Sequence, residues 1–210
     1  MFYNILDKQR RSVLPLLKNF KRDFYLAGGT ALALQLGCRD SIDFDFFTEK
    51  SFDTGKLFER ARWIFSKNKI LKIQEEKNTL TILVDEKIKI SFFAYNYRLL
   101  EKPVVEENLR IASITDIACM KLSAIVSRAT NKDYVDIFFI LQRKKLAEIM
   151  GKLQKKFPEI DPNLVLKSLT YFQDIVKEPI KFRNNNNVPF KKIEKLLKEK
   201  VKNYVLREKI

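Results

Sequence analysis

Two glycines and a hydroxyl, Gly28-Gly29-Thr30, are followed after a short apolar segment by Arg39-Asp40-Ser41-Ile42-Asp43-Phe44-Asp45-Phe46-Phe47. A tight glycine turn, a hydroxyl and two carboxylates two residues apart on a strand are the parts needed to hold a metal-bound triphosphate. They predict phosphoryl or nucleotidyl transfer. Asp43 and Asp45 are the candidate metal ligands, because residues i and i+2 of a strand project to one face. Carboxylate oxygens are the hard ligands Mg²⁺ takes together with substrate phosphates. Singly, an Asp-x-Asp is usually a solvated strand face and a glycine pair a plain turn; the ordered combination carries the reading.

The elements that must position these groups follow from the same stretch. Phe24-Tyr25-Leu26-Ala27 reads as a short buried strand, broken at Gly28-Gly29 where the backbone turns or approaches a ligand closely. Thr30 is placed at the N-cap of a helix running through Ala31-Leu32-Ala33-Leu34-Gln35-Leu36, with Gly37 ending it. A helix opening directly after two glycines presents unsatisfied N–H groups and the positive end of its dipole to a phosphate. Ile42-Asp43-Phe44-Asp45-Phe46 has the β-branched and aromatic alternation of a strand.

Histidine is absent and the two cysteines, Cys38 and Cys119, have neither zinc-like nor disulfide-framework spacing. That removes the commonest general base, the commonest transition-metal ligand and Ser-His or Cys-His catalysis. Chemistry here must run on carboxylates, lysines and metal.

Gly28-Gly29-Thr30-Ala31-Leu32-Ala33-Leu34 with Arg39 through Phe47 resembles the signature of the AbiEii/AbiGii-type nucleotidyltransferases, relatives of the polymerase-β-like enzymes. Ile88-Lys89-Ile90-Ser91-Phe92-Phe93 resembles that family's following strand. Ala118-Cys119-Met120-Lys121-Leu122 through Lys132-Asp133-Tyr134-Val135-Asp136-Ile137 resembles its downstream helical motif. The likeness spans about residues 24–141. It implies that Gly28, Gly29, Thr30, Arg39 and Ser41 bind the nucleotide, that Asp43 and Asp45 hold Mg²⁺, and that Lys121 neutralises phosphate charge. It also implies catalytic roles for Asp133 and Asp136 on a later helix. Ser91 departs from the pattern, since many polymerase-β-like enzymes carry a third carboxylate on this strand. The general base therefore stays open between Asp133, Asp136 and the metal's own acidification of the acceptor hydroxyl.

The residues also support plainer roles. Lys121 on an apolar helix face can snorkel to solvent as readily as touch phosphate. Asp133 reads as a capping acid, and Asp136, among apolar neighbours, calls for a cationic partner such as Lys121 or Arg128. The aromatic set Phe44, Phe46, Phe47, Phe92 and Phe93 reads as core.

Forty-one Lys plus Arg against twenty-six Asp plus Glu leave a net charge of +15, which favours polyanions such as RNA. Residues 181–210 hold ten of the cations (Lys181, Arg183, Lys191, Lys192, Lys195, Lys198, Lys200, Lys202, Arg207, Lys209) against Glu194, Glu199 and Glu208. The same excess fits a lysine-rich or thermophilic proteome with a solvated helix face. No apolar run approaches the roughly eighteen residues of a membrane span, and Asp7, Lys8, Arg10 and Arg11 interrupt any secretory pattern. The expectation is a cytoplasmic protein without membrane contact.

The rest of the chain predicts an α+β fold. A small mixed nucleotidyltransferase sheet with flanking helices occupies residues 1–112, and a helical bundle packed on it occupies 113–210. Residues 4–20 read as an amphipathic helix bent by Pro15, and 54–67 as a second helix. Strands follow at about 70–75, 79–84 and 88–94, the last two turned by Asp85-Glu86-Lys87. Ser113-Ile114-Thr115-Asp116 resembles a capping box, Thr130-Asn131-Lys132-Asp133 repeats that start, Asp161-Pro162 opens another helix, and 189–208 forms a basic final one. No internal repeat is visible.

Together these readings predict a Mg²⁺-dependent transfer of a nucleoside monophosphate from an NTP to a hydroxyl. The resemblance adds a tRNA 3′ end as acceptor, a bacterial toxin–antitoxin or phage-defence setting, and a cognate antitoxin that in many such pairs forms no stable complex. Two other classes remain: nucleotidylation of a small molecule or protein, and a non-catalytic RNA-binding module on the same fold.

Overall fold

Along residues 44–48 Phe44, Phe46 and Thr48 are buried while Asp45 and Phe47 stay partly exposed, the period-2 signature of a strand with one face on a core. The computed structural model describes residues 1–208; Lys209, one of the cations of the basic tail, lies outside them. Two units emerge, Met1–Ser113 and Ile114–Ile210.

The first unit is a seven-stranded sheet with three α-helices. Its strands are β1 (Tyr25–Ala27), β2 (Phe44–Thr48), β3 (Ile70–Glu76), β4 (Thr79–Val84), β5 (Ile88–Ala94), β6 (Val104–Val105) and β7 (Arg110–Ile111). They lie in the order β3-β4-β5-β2-β1-β7-β6. The pairs β2–β5 and β1–β7 are parallel and the others antiparallel, so the sheet is mixed as expected. The two-residue strands β6 and β7 escaped the sequence reading because two residues cannot show a period.

One face of this sheet is apolar. Phe46 and Phe92 stack at 5.5 Å between ring centroids, and Phe20 and Phe24 close on Phe92 at 4.9 and 5.1 Å. Phe47 and Phe93 belong to the other face, half-buried at 5.3 Å from each other, so the expected aromatic core is divided between the two sides. That second face also carries Asp45, Ser91 and Thr81 in register.

Helices α1 (Lys8–Leu17), α2 (Gly28–Leu36) and α3 (Thr54–Ile64) belong to this unit. The helix expected over 4–20 is shorter than predicted. Asp7 accepts the Arg10 N–H at 2.8 Å and so starts α1 at Lys8, with 3₁₀ turns on either side and Pro15 inside. Asp53 likewise caps α3 by accepting from the Lys56 N–H at 2.9 Å. The turn between β4 and β5 holds Asp85 and Glu86 at φ of 51° and 58°.

The second unit is all helix: α4 (Ile114–Ser127), α5 (Asn131–Leu141), α6 (Leu146–Lys156), α7 (Pro162–Thr170) and α8 (Phe190–Glu208). Helix α4 touches α5, α6 and α7, and α8 touches α5, α6 and α7 in turn. Ile117, Ala118, Cys119 and Leu122 of α4 are fully buried, whereas α8 buries only Ile193 and Leu197 and turns most of its lysines to solvent. No helix among the described residues is long and apolar enough to cross a membrane.

Candidate active site

β1 ends at Ala27, and the chain enters α2 through Gly28, whose φ of +72° lies in the left-handed region that only glycine adopts cheaply. A Cβ on Gly28 would stand 3.2 Å from Asp45 Oδ2. One on Gly29 would stand 2.6 Å from Arg39 Nη2 and 3.2 Å from Ser41 Oγ. The missing side chains therefore let the backbone lie directly against a carboxylate on one side and a guanidinium on the other.

Helix α2 begins three residues earlier than expected, with Ala27 at the N-cap and Gly28 as its first residue. Thr30 is thus not the cap. It is buried in the first turn, where its Oγ1 lies 2.8 Å from Ser41 Oγ and donates to the Asp43 carbonyl. Its hydroxyl ties the segment carrying the carboxylates to the helix start. Arg39 is 3% exposed and donates from Nη1 to the Asp40 carbonyl at 3.0 Å, which fixes the guanidinium beside Gly29.

Asp43 immediately precedes β2 and Asp45 lies within it, both partly exposed. The parallel register sets Asp45 beside Ser91. Ser91 is 4% exposed, and Thr81 Oγ1 lies 3.3 Å from its hydroxyl, so neutral groups fill the position where a third carboxylate was missed. Lys89, one step before Ile90 on β5, reaches Asp43 Oδ2 with its Nζ at 3.0 Å. Lys89 is a residue of the site that the motif pattern does not mark, since its role depends on the β2–β5 register.

Among the described residues no three His, Cys, Asp or Glu side chains gather into a metal site. Two carboxylates nevertheless suit Mg²⁺, which is commonly held by one or two of them with substrate phosphates completing its shell. The glycines bring the α2 backbone against Asp45, so a metal held there would lie beside the helix N-terminus.

Lys121, Asp133 and Asp136 belong to the second unit. Lys121 Nζ lies 2.6 Å from Asp133 Oδ1 and 2.7 Å from Asp136 Oδ2, all three side chains being less than a tenth exposed. Lys121 is therefore not snorkelling, and it is the cation that Asp136 requires. Asp133 also receives Thr130 Oγ1 at 2.9 Å, while the exposed Arg128 approaches it to 3.8 Å. A second pair, Lys156 Nζ to Asp116 Oδ1 at 2.8 Å, is completely buried.

A protein of Aquifex aeolicus (strain VF5) is 39% identical to this chain over 208 residues, covering 95% of it and 98% of the relative. Among solved structures, the nucleotidyltransferase toxin MenT4 (Rv2826c) of Mycobacterium tuberculosis H37Rv superposes with a TM-score of 0.61 at 15% identity, over 92% of this chain and 80% of the other. JHP933 of Helicobacter pylori gives 0.51 at 18% identity over 97% and 98%. These two likenesses establish the fold. The family model described as nucleotidyl transferase AbiEii toxin, type IV toxin–antitoxin system, matches residues 16–200, and the chain belongs to that family of nucleotidyltransferases.

Proposed function

We propose that this enzyme transfers a nucleoside monophosphate from an NTP to an RNA hydroxyl, with tRNA as the acceptor, and that it is the toxin of a toxin–antitoxin or phage-defence pair restrained by a cognate antitoxin. The observation that carries the reading is the contact between Gly28 and Asp45. A left-handed glycine at a helix N-terminus stands within 3.2 Å, measured from its absent Cβ, of the Asp45 carboxylate.

Asp43 and Asp45 would hold Mg²⁺, which when bound supplies charge neutralisation to the triphosphate and acidifies the acceptor hydroxyl. The chain's own groups do the rest. The N–H groups opening α2 receive phosphate oxygens, and Gly28 and Gly29 keep the backbone close enough for them to do so. Arg39, buried beside Gly29, contributes a fixed positive charge, and Thr30 with Ser41 keeps the carboxylate segment in place. The acceptor hydroxyl gives its proton to a carboxylate base or to solvent, its oxygen bonds to the α-phosphorus as the α–β bridging bond breaks, and pyrophosphate leaves. Positioning and electrostatics account for most of the acceleration. Lys121, Asp133 and Asp136 are proposed, from the family motif they match, to assist phosphate binding and catalysis.

The choice of RNA rests on the basic surface: Lys191, Lys192, Lys195, Lys198 and Lys202 of α8 all face solvent. The test is transfer from NTPs labelled at the α or the γ phosphate, with total tRNA and Mg²⁺. Label from the α position alone on tRNA supports the proposal. Label on a protein or small molecule, with none on RNA, assigns a different acceptor, and salt-sensitive RNA binding without any transfer makes the protein a binding module.

A further inference from the structure

A cavity of about 650 Å³ opens in the first unit, lined by residues around Phe24 ahead of β1, Thr48 at the end of β2 and Asp53 at the start of α3. Gly28 follows the last residue of β1 and Asp43 precedes the first of the antiparallel β2. The cavity therefore lies toward the opposite end of these strands from Gly28 and Asp43, with Thr48 about 10 Å from Asp45 and about 17 Å from Asp43 at roughly 3.4 Å per strand residue.

Its lining carries five cations, Arg22, Lys50, Lys56, Arg60 and Arg110, against the three carboxylates of Asp23, Glu49 and Asp53, and is net positive. Arg60 is neutralised by Asp23, with Nη1 2.7 Å from Oδ2, and the Asp53 carboxylate accepts the Lys56 N–H. Glu49 accepts the Leu99 N–H at 3.3 Å. Arg22, Lys50 and Lys56 line the same space with exposed side chains and no carboxylate partner among the described residues. Arg110 adds a fourth charge. Its guanidinium is held over the Tyr25 ring at 5.9 Å, and its Nε is buried without a hydrogen-bond partner. A buried donor left unsatisfied is destabilising, so an acceptor brought to Arg110 would offset that cost. Beside the charges Phe52 is half-buried, in edge contact with Phe24 at 5.4 Å.

We infer that this cavity is a second, non-catalytic binding site for phosphate groups carried on nucleotides, taking the phosphates on Arg22, Lys50, Lys56 and Arg110 and a base against Phe52. Its volume lies in the range of sites for nucleotide-sized ligands. The phosphates come either from a strand of RNA or from a free nucleotide.

The experiment uses the full chain carrying Asp43→Asn and Asp45→Asn, so that the first site is silenced, with and without Arg22→Gln and Lys56→Gln. Both added positions are exposed, which leaves the fold intact. A fluorescein-labelled single-stranded RNA 12-mer is titrated by anisotropy across salt concentrations, and ATP by calorimetry. Weaker RNA binding, with the salt slope reduced by about 0.7 per removed charge, identifies RNA as the source. Weaker ATP binding with RNA unchanged identifies the free nucleotide. No change in either overturns the inference. So does an equal loss of RNA affinity on Lys67→Gln with Lys77→Gln, exposed lysines away from the cavity.

Discussion

Lys89 Nζ lies 3.0 Å from Asp43 Oδ2, so a cation of the chain itself sits on a carboxylate assigned to the metal. Both side chains are part-exposed, at 45% and 38%, and such pairs contribute about 0.2–1 kcal/mol. Lys89 therefore competes weakly for Asp43. Lys89→Gln should tighten Mn²⁺ binding, followed by the electron paramagnetic resonance of free Mn²⁺, by about two- to five-fold. Unchanged affinity would mean that Asp43 is not a metal ligand.

The two glycines should fail in different ways. Gly28→Ala forces a side chain into φ +72° against Asp45, costing about 1–2 kcal/mol of stability as well as nucleotide affinity. Gly29 lies within a helix, where alanine is favoured, but its Cβ would stand 2.6 Å from Arg39 Nη2. Gly29→Ala gains helix propensity that offsets part of the cost of displacing the buried Arg39 guanidinium, so it should lower the melting temperature less than Gly28→Ala while ATP affinity drops at least about ten-fold, the worth of one lost charge-assisted hydrogen bond. Calorimetry and thermal melting together separate the two.

Asp116 and Lys156 are both 0% exposed and paired at 2.8 Å. Removing either partner deprives a buried charge of its ion pair, so Asp116→Leu or Lys156→Met should each cost about 3–5 kcal/mol in urea unfolding. The double variant should recover most of that loss. Additive losses would show that the two do not act as a pair.

Tyr134 donates to the carbonyls of Ser168 and Tyr171 at 2.9 and 3.1 Å; burial, aided by the Asp133 charge, pushes its phenol up to about 12. Below pH 10 the phenol is protonated in folded and unfolded chains alike. Between about pH 10 and 12 the unfolded chain releases its proton while the folded chain holds it, so stability falls as pH rises through that window. Tyr134→Phe should flatten this part of the fall, as read from unfolding free energies at pH 9 and 11.

What the sequence revealed was local. The alternation at 44–48 exposes Asp45 on one face, and the glycine pair marks the turn into α2, because strand periodicity and glycine conformation act within a few residues. The start of α2 was misread through Thr30, a good capping residue by type, because the left-handed Gly28 lets the helix begin earlier and frees that hydroxyl for Ser41. Contacts across distant segments were mostly invisible; the pairing of Asp136 with Lys121 was legible only because a buried acid demands a cation, and there Arg128 was an equal candidate. The Lys89–Asp43 pair depends on the β2–β5 register and the Asp116–Lys156 pair on packing of α4 with α6, and neither is encoded in any local pattern.

The most direct test of the central claim, that the glycine cradle and the two carboxylates form a nucleotidyl-transfer site, compares the native protein with its Asp43→Asn, Asp45→Asn variant. Each receives Mg²⁺, α-³²P-labelled NTPs in turn and total tRNA, with circular dichroism confirming that both are folded. The account predicts label on tRNA with the native protein and at least about a hundred-fold less with the variant, the scale lost when catalytic electrostatics are removed. Undiminished transfer by the folded variant would contradict it.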